Sequence, residues 1–181
     1  TDNEQCATHY STNWYNTFFD ELPVWSFSIR IDCPHAFGLP FSYGSEQNAT
    51  IRNKASEWES TFKKSDRSFP WHNKMQTAVW RGSGSQSWRQ QMLKIASDHM
   101  SSAIKTGGRP IIDARIANSN TGKNLLPFRD FQKYRAVLDV DGNAWSERFP
   151  KLLCMNSPVI KVEPKFLNYL DFTAVPYVHF I

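Results

Sequence analysis

The sequence predicts an α/β domain built on a parallel sheet, and two stretches carry that prediction. In the first, Met75 to Trp80 reads as a strand and Arg81 to Ser87 as a Gly/Ser-rich loop. Behind that loop Trp88, Met92, Ile95 or Ala96, and Met100 recur at helical spacing. In the second, Tyr134 to Asp139 reads as a strand, Asp141-Gly142-Asn143 as a turn, Ser146 to Leu153 as a helix and Pro158 to Val162 as the next strand. A strand–helix–strand order implies a crossover, and crossovers join parallel strands.

The remaining elements follow in chain order. Residues 1–48 are aromatic-rich and broken by Pro23, Pro34 and Pro40. Within them Val24 to Ile29 alternates apolar and polar residues, the period of a strand. His35 to Tyr43 reads as a loop punctuated by Gly38 and Pro40. Over residues 49–66, Ile51, Ala55, Trp58 and Phe62 mark a surface helix. Ser87 is placed to cap the helix after the Gly/Ser loop. Residues 101–110 read as a loop around Gly107-Gly108, Pro110 to Ala114 as a short strand and Asn118 to Asn124 as a loop. Pro150 fits the first turn of the second helix, where a missing N–H costs little. Val175 to Ile181 reads as a last strand.

Composition narrows the function classes. With 40% hydrophobic and 21% charged residues, the chain can bury a core and is not disordered. Its net charge of +4 suits an anionic ligand such as a nucleotide, and suits an ordinary surface equally. The longest basic run is Lys63-Lys64, so no basic stripe points to nucleic acid. Cys6, Cys33 and Cys154 form no C-x-x-C pair, which argues against zinc and thioredoxin-type chemistry. His9, His35, His72, His99 and His179 lack metal-ligand spacing, and no G-x-S-x-G elbow supports a hydrolase. Asn48-Ala49-Thr50 is a glycan acceptor in a secreted context. There is no apolar run of membrane length.

Two loops carry the candidate chemistry. Between strand and helix, Arg81 to Ser87 offers backbone N–H groups, a positive helix end, and the hydroxyls of Ser83, Ser85 and Ser87. Arg81 and Arg89 add fixed charge, and together these features favour a diphosphate. The spacing is neither G-x-G-x-x-G nor a Walker loop, and an ordinary β–α turn is the competing reading. The second loop, Asp139 to Arg148, provides another strand tip followed by a helix start. Ligands of open α/β sheets gather at strand tips, so both loops can flank one nucleotide. Asp139-x-Asp141 also resembles a two-carboxylate metal motif, whereas the position of Gly142 rules out a twelve-residue calcium loop.

On these residues the chain resembles glycosyltransferase family 90, which includes Rumi-like protein O-glucosyltransferases and capsule-associated xylosyltransferases. The resemblance rests on Pro70-Trp71-His72-Asn73-Lys74 with Val79-Trp80-Arg81-Gly82-Ser83, and on Lys133-Tyr134-Arg135 with Asp141-Gly142 and Ser146-x-Arg148-Phe149. Leu152-Leu153, Ser157-Pro158-Val159-Ile160-Lys161 and Val175-Pro176-Tyr177-Val178-His179 extend it in the same order, across roughly residues 23–181.

The resemblance implies a Rossmann-like domain of the two-domain glycosyltransferase B architecture, incomplete in this chain. Residues 1–66 would end the acceptor-side domain and linker. Residues 67–181 would be the UDP-sugar donor domain, shortened at its C-terminus. The implied reaction is inverting and metal-independent, moving glucose or xylose from a UDP-sugar to a hydroxyl of a protein or glycan. The UDP-sugar is a co-substrate, no other cofactor is expected, and nucleic acid is not a partner. The implied setting is the lumen of the endoplasmic reticulum or Golgi, with any membrane anchor outside this stretch. A Cys33–Cys154 or Cys6–Cys33 bridge would suit that setting. Ser83 and Arg89 would match donor-contacting positions, and Gly142, Asn143, Ala144, Trp145, Ser146 and Glu147 the second donor loop, with Arg148 beside it; Arg81 joins the donor-binding set on its charge.

The base is expected at Asp20, in Phe19-Asp20-Glu21-Leu22-Pro23, which lies closer to Phe27 than in the Rumi-like pattern. Glu21 and Asp32 are poorer alternatives. Two other readings stay open: a metal-dependent transferase using Asp139 and Asp141, and a non-catalytic nucleotide-sugar or glycan-binding domain. If Asp20 is the base, Asp20→Asn removes turnover and leaves UDP affinity unchanged, because an amide cannot take the acceptor proton. Paired turnover and calorimetric assays of that variant check this, and intact turnover would dismiss Asp20.

Overall fold

The computed structural model describes residues 24–26, 29–31, 36–38, 64, 67–118 and 120–181. The elements are β1 (Val24–Ser26), β2 (Ile29–Arg30), β3 (Ala36–Gly38), β4 (Met75–Gly82), α1 (Ser87–Lys105), β5 (Ile112–Ile116), β6 (Tyr134–Asp139), α2 (Phe149–Leu153), β7 (Val159–Lys161) and β8 (Phe166–Leu167). Short 3-10 turns occupy Trp71–Asn73, Phe128–Lys133 and Tyr169–Phe172.

The predicted parallel sheet is present. Its four strands run in the order β5–β4–β6–β7, all parallel. The fold is therefore α/β and Rossmann-like. Alternation along the strands produces two cores. Val79, Val137 and Val159 lie side by side in register and pack against Phe131, Phe149 and Leu152. On the other face Trp80 and Leu138 meet Trp88, Met92 and Leu93 of α1. The two helices thus cover opposite faces, and each fully buried valine contributes about 1.5–3 kcal/mol.

The differences from the sequence reading are mostly at element ends. β4 continues two residues past Trp80, because Arg81 and Gly82 pair with Arg115 and Ile116 of β5. α1 runs to Lys105 rather than stopping near residue 100, since Ala103 is still buried. Its N-cap is Gln86, not Ser87, and no side chain caps it. Of the two inward candidates, Ala96 is buried and Ile95 is 57% exposed. β5 is shifted to Ile112–Ile116. α2 begins at Phe149, not Ser146. The expected strand from Val24 to Ile29 is two pieces. β1 pairs with β3, and β2 pairs with β8.

Val175 to Phe180 is not a strand but a turn, in which Val175 N–H donates to His179 Nδ1 at 2.9 Å and Tyr177 has φ 61°. Only Ile181 joins the sheet, exchanging two backbone hydrogen bonds with Val159 and Lys161. The helix expected over residues 49–66 lies largely outside the described residues.

Residue 82 is a glycine for a steric reason. A Cβ there would lie 2.6 Å from the Trp80 ring, which is itself fully buried. Gly82→Ala should therefore destabilise the fold by about 1–3 kcal/mol, the usual cost of overpacking. Urea unfolding of the variant measures it, and an unchanged midpoint would show that the indole can move.

Candidate functional site

The strand order creates a switch point. From β4 the chain passes over α1 to β5 on one side, and from β6 it passes over α2 to β7 on the other. Between the carboxyl tips of β4 and β6 the two connections diverge, which leaves a crevice. The loops that form its walls are residues 83–86 and 140–148, the two singled out in the sequence.

Arg89, in the first turn of α1, joins those walls. Its Nε donates to Asp141 O at 2.7 Å and its Nη2 to Val140 O at 3.1 Å. Its Nη1 donates to Ser83 Oγ at 2.9 Å and to Ser83 O at 3.2 Å. The guanidinium is buried and lies 5.4 Å from the Trp80 ring centroid. Arg148 reaches the same ring from the other loop, at 6.0 Å, and its Nη1 donates to Arg81 O. Two cations thus converge at the tip of β4. Burial lowers the pKa of Arg89, the Arg148 charge lowers it further, and Asp141 and Asp139 act against both. Burial also lowers that of Arg148, against the charge of Asp139. The uncapped first turn of α1 opens beside them and adds positive potential.

Gly142 sits against Arg89, where an added Cβ would lie 3.3 Å from Nη2. Trp88 Nε1 donates to Asp141 O at 3.1 Å, and the Gln86 side-chain amide bonds Asn143 Oδ1 across the crevice. Asn143 and Glu147 are exposed, Ala144 is half-buried and Trp145 is buried.

The two acids of the second loop face inward. Asp139 is 1% exposed and Asp141 4%. Asp139 Oδ1 accepts the Ser146 hydroxyl, while Asp139 Oδ2 has no hydrogen-bond donor. Lys161 Nζ lies 4.0 Å from that oxygen and 2.6 Å from Asp171 Oδ1. Asp141 accepts three backbone N–H groups, from Ser146, Lys165 and Phe166. Burial raises the pKa of Asp141 despite the Phe166 and Lys165 amides. Among the described residues no three His, Cys, Asp or Glu side chains gather where one cation could be held.

The structure brings Ser83, Arg89, Gly142, Asn143 and Arg148 to one crevice. Arg81 departs from expectation. Its guanidinium turns along the sheet to Asp113 of β5, with Nη2 to Oδ2 at 2.7 Å, and only its carbonyl faces Arg148. Burial alone would raise Asp113, but hydrogen bonds and charge from Arg81 and Arg115 prevail and hold it below the usual carboxylate range. Ser146 also differs, since both its N–H and its hydroxyl are directed inward. Sequence reading missed Gln86, Trp88, Asp113 and Lys161. The last two had a signal, a charged residue inside an apolar strand. Asp20, Glu21, Asp32 and the Asn48 sequon lie outside the described residues. Cys154 carries a free thiol, and Cys6 and Cys33, the other members of the two expected bridges, lie outside the described residues. A cavity of about 320 Å³ lined by Ser68, Phe69, Asn73, Lys74, Met75 and Lys133 sits at the amino end of β4, away from the crevice.

The sequence pattern of glycosyl transferase family 90 matches residues 9–181. The chain belongs to glycosyltransferase family 90. Among curated members, it is 26% identical to protein O-glucosyltransferase 3 of Homo sapiens and 27% to that of Mus musculus, each over 112 residues. It is 26% identical to protein O-glucosyltransferase 2 of Danio rerio over 121 residues. Each match covers 61% of this chain and 22% of the relative. Among the described residues no helix is long and apolar enough to cross a membrane.

For this family-90 domain the charge at Asp139 has a stability consequence. Burial pushes the Asp139 carboxyl up to about 6, against the Ser146 hydrogen bond and the charges of Lys161 and Arg148 and with Asp141 adding to the rise. An acid whose folded pKa is raised binds more protons folded than unfolded, so stability falls as pH rises from about 4 to about 6. Asp139→Asn should therefore raise Tm at about pH 7.5 and lose that advantage near pH 4. Thermal melts of both proteins across this range check the sign. A lower Tm at neutral pH would mean that Lys161 more than compensates the buried charge.

Proposed function

We propose that this domain holds the diphosphate of a UDP-sugar in the crevice between β4 and β6. The observation that carries this reading is the convergence of Arg89 and Arg148 on Trp80 beside the uncapped end of α1. Two neighbouring like charges repel, and a bound dianion would relieve that repulsion. The same groups would stabilise charge growing on the UDP leaving group as the glycosidic bond breaks. Among the described residues, one N–H of Arg89 Nη2 and the Arg148 donors other than the one to Arg81 O remain for phosphate oxygens.

On this reading the protein transfers a single glucose or xylose to a hydroxyl of a protein or glycan acceptor, with inversion. Family membership and the protein O-glucosyltransferase relatives support transfer to protein, although the match spans only 22% of each relative. The donor would be the only co-substrate, with no metal required, and the setting would be the secretory pathway. The acceptor base would come from another region, with Asp20 the candidate. The metal-dependent alternative is disfavoured by the ligand chemistry of its own acids: Asp141 already accepts three amides and Asp139 faces Ser146 and Lys161.

Arg89→Ala should weaken UDP binding by about 1.5–3 kcal/mol, the range for a charged hydrogen bond. Calorimetry with UDP measures this, and equal affinity in both proteins would remove the diphosphate from this crevice. Transfer that survives a chelator separates the metal-free route from the alternative.

A further inference from the structure

The acid pair Asp139-x-Asp141 is left without a role in binding, and its contacts suggest one in positioning. We infer that Asp139 and Asp141 jointly pin Ser146 and so set the loop 142–148 that carries Arg148 into the crevice. The pinning is a statement about the free protein, and its consequence for donor binding rests on the reading above.

Ser146 is gripped twice. Its N–H donates to Asp141 Oδ1 at 3.1 Å and its hydroxyl donates to Asp139 Oδ1. Its carbonyl accepts Phe149 N–H at 3.0 Å, which starts the turn into α2. Arg148 lies inside that turn, so the direction of its side chain toward Trp80 and Arg81 O follows from where Ser146 is held. All three residues are at most 5% exposed, so water does not compete for these bonds.

The acids differ in what else they hold. The second oxygen of Asp141 accepts Lys165 N–H at 2.7 Å and Phe166 N–H at 3.0 Å, tying the loop to the segment after β7. The second oxygen of Asp139 makes no hydrogen bond and faces Lys161 at 4.0 Å. Among the described residues, the hydrogen bond from the Asp139 side chain to the loop is the one with the Ser146 hydroxyl, and its charge also acts on Arg148. That bond needs an acceptor, not a charge, so asparagine can replace Asp139 where alanine cannot.

The test uses the whole chain in four forms besides wild type: Asp139→Ala, Asp139→Asn, Ser146→Ala, and the Asp139→Ala/Ser146→Ala double variant. Amide hydrogen exchange over residues 142–148 is read without ligand, and UDP affinity is read by calorimetry. Asp139→Ala and Ser146→Ala should each lose protection in this loop and bind UDP about tenfold more weakly, the scale of one buried hydrogen bond. The double variant should be no worse than Asp139→Ala alone, because once Asp139 is gone the Ser146 hydroxyl has no bond left to lose. Asp139→Asn should keep both protection and affinity. Additive losses, or an Asp139→Asn as damaged as Asp139→Ala, would overturn the inference. So would wild-type protection in Ser146→Ala, the smallest change and the form that decides the matter if Asp139→Ala does not fold. Failure of wild type to bind UDP refutes the donor reading instead, and the exchange pattern then decides the pinning by itself.

Discussion

The buried guanidinium of Arg89 is the contact on which the site depends. It takes carbonyls from Ser83, Val140 and Asp141, which belong to two loops more than fifty residues apart in sequence. Backbone carbonyls are good acceptors, but they carry no full charge, so the cation stays electrostatically unsatisfied by them alone. Much of the surrounding chemistry answers that condition. Trp80 offers a ring face, Asp139 and Asp141 offer charge at a distance, and Gly142 has no side chain where one would press on Nη2. A second arginine at the same place makes the excess positive charge larger, as an anion site requires.

Holding two arginines there requires acids behind them, and acids in a dry interior are costly unless hydrogen-bonded. Asp141 meets the requirement with three amides. Asp139 does so only in part, with one hydroxyl and a lysine shared with Asp171. The domain therefore carries some strain in charge at the tips of β6 and β7, close to where a ligand would bind. Stability given up near a site and retained in the distant core is a common division, and the valine row across β4, β6 and β7 lies well inside the sheet.

Much of the fold was legible because its signals are local. β6 was read at both ends, and β4, α1 and β7 were read to within a few residues, since apolar period and turn chemistry act over short distances. The errors arose where a distant partner decides. β4 gained two residues from pairing with β5, and α1 gained a turn from burial of Ala103. α2 lost its first turn because Ser146 is bound to the acids instead. The 175–180 segment has the apolar content of a strand, yet His179 folds it back on Val175.

The amino-acid sequence by itself determined the α/β class, the two strand-tip loops, the surplus of positive charge near them and the family, because each is written in short runs of residues. Only the tertiary structure decided what those residues face. It set Arg89 between the loops, turned Arg81 away to Asp113, and buried a pair of acids that in sequence resembled metal ligands. The physical reason is strand order. Placing β6 beside β4 brings residues 83 and 142 together, and no local pattern encodes which strand lies next to which.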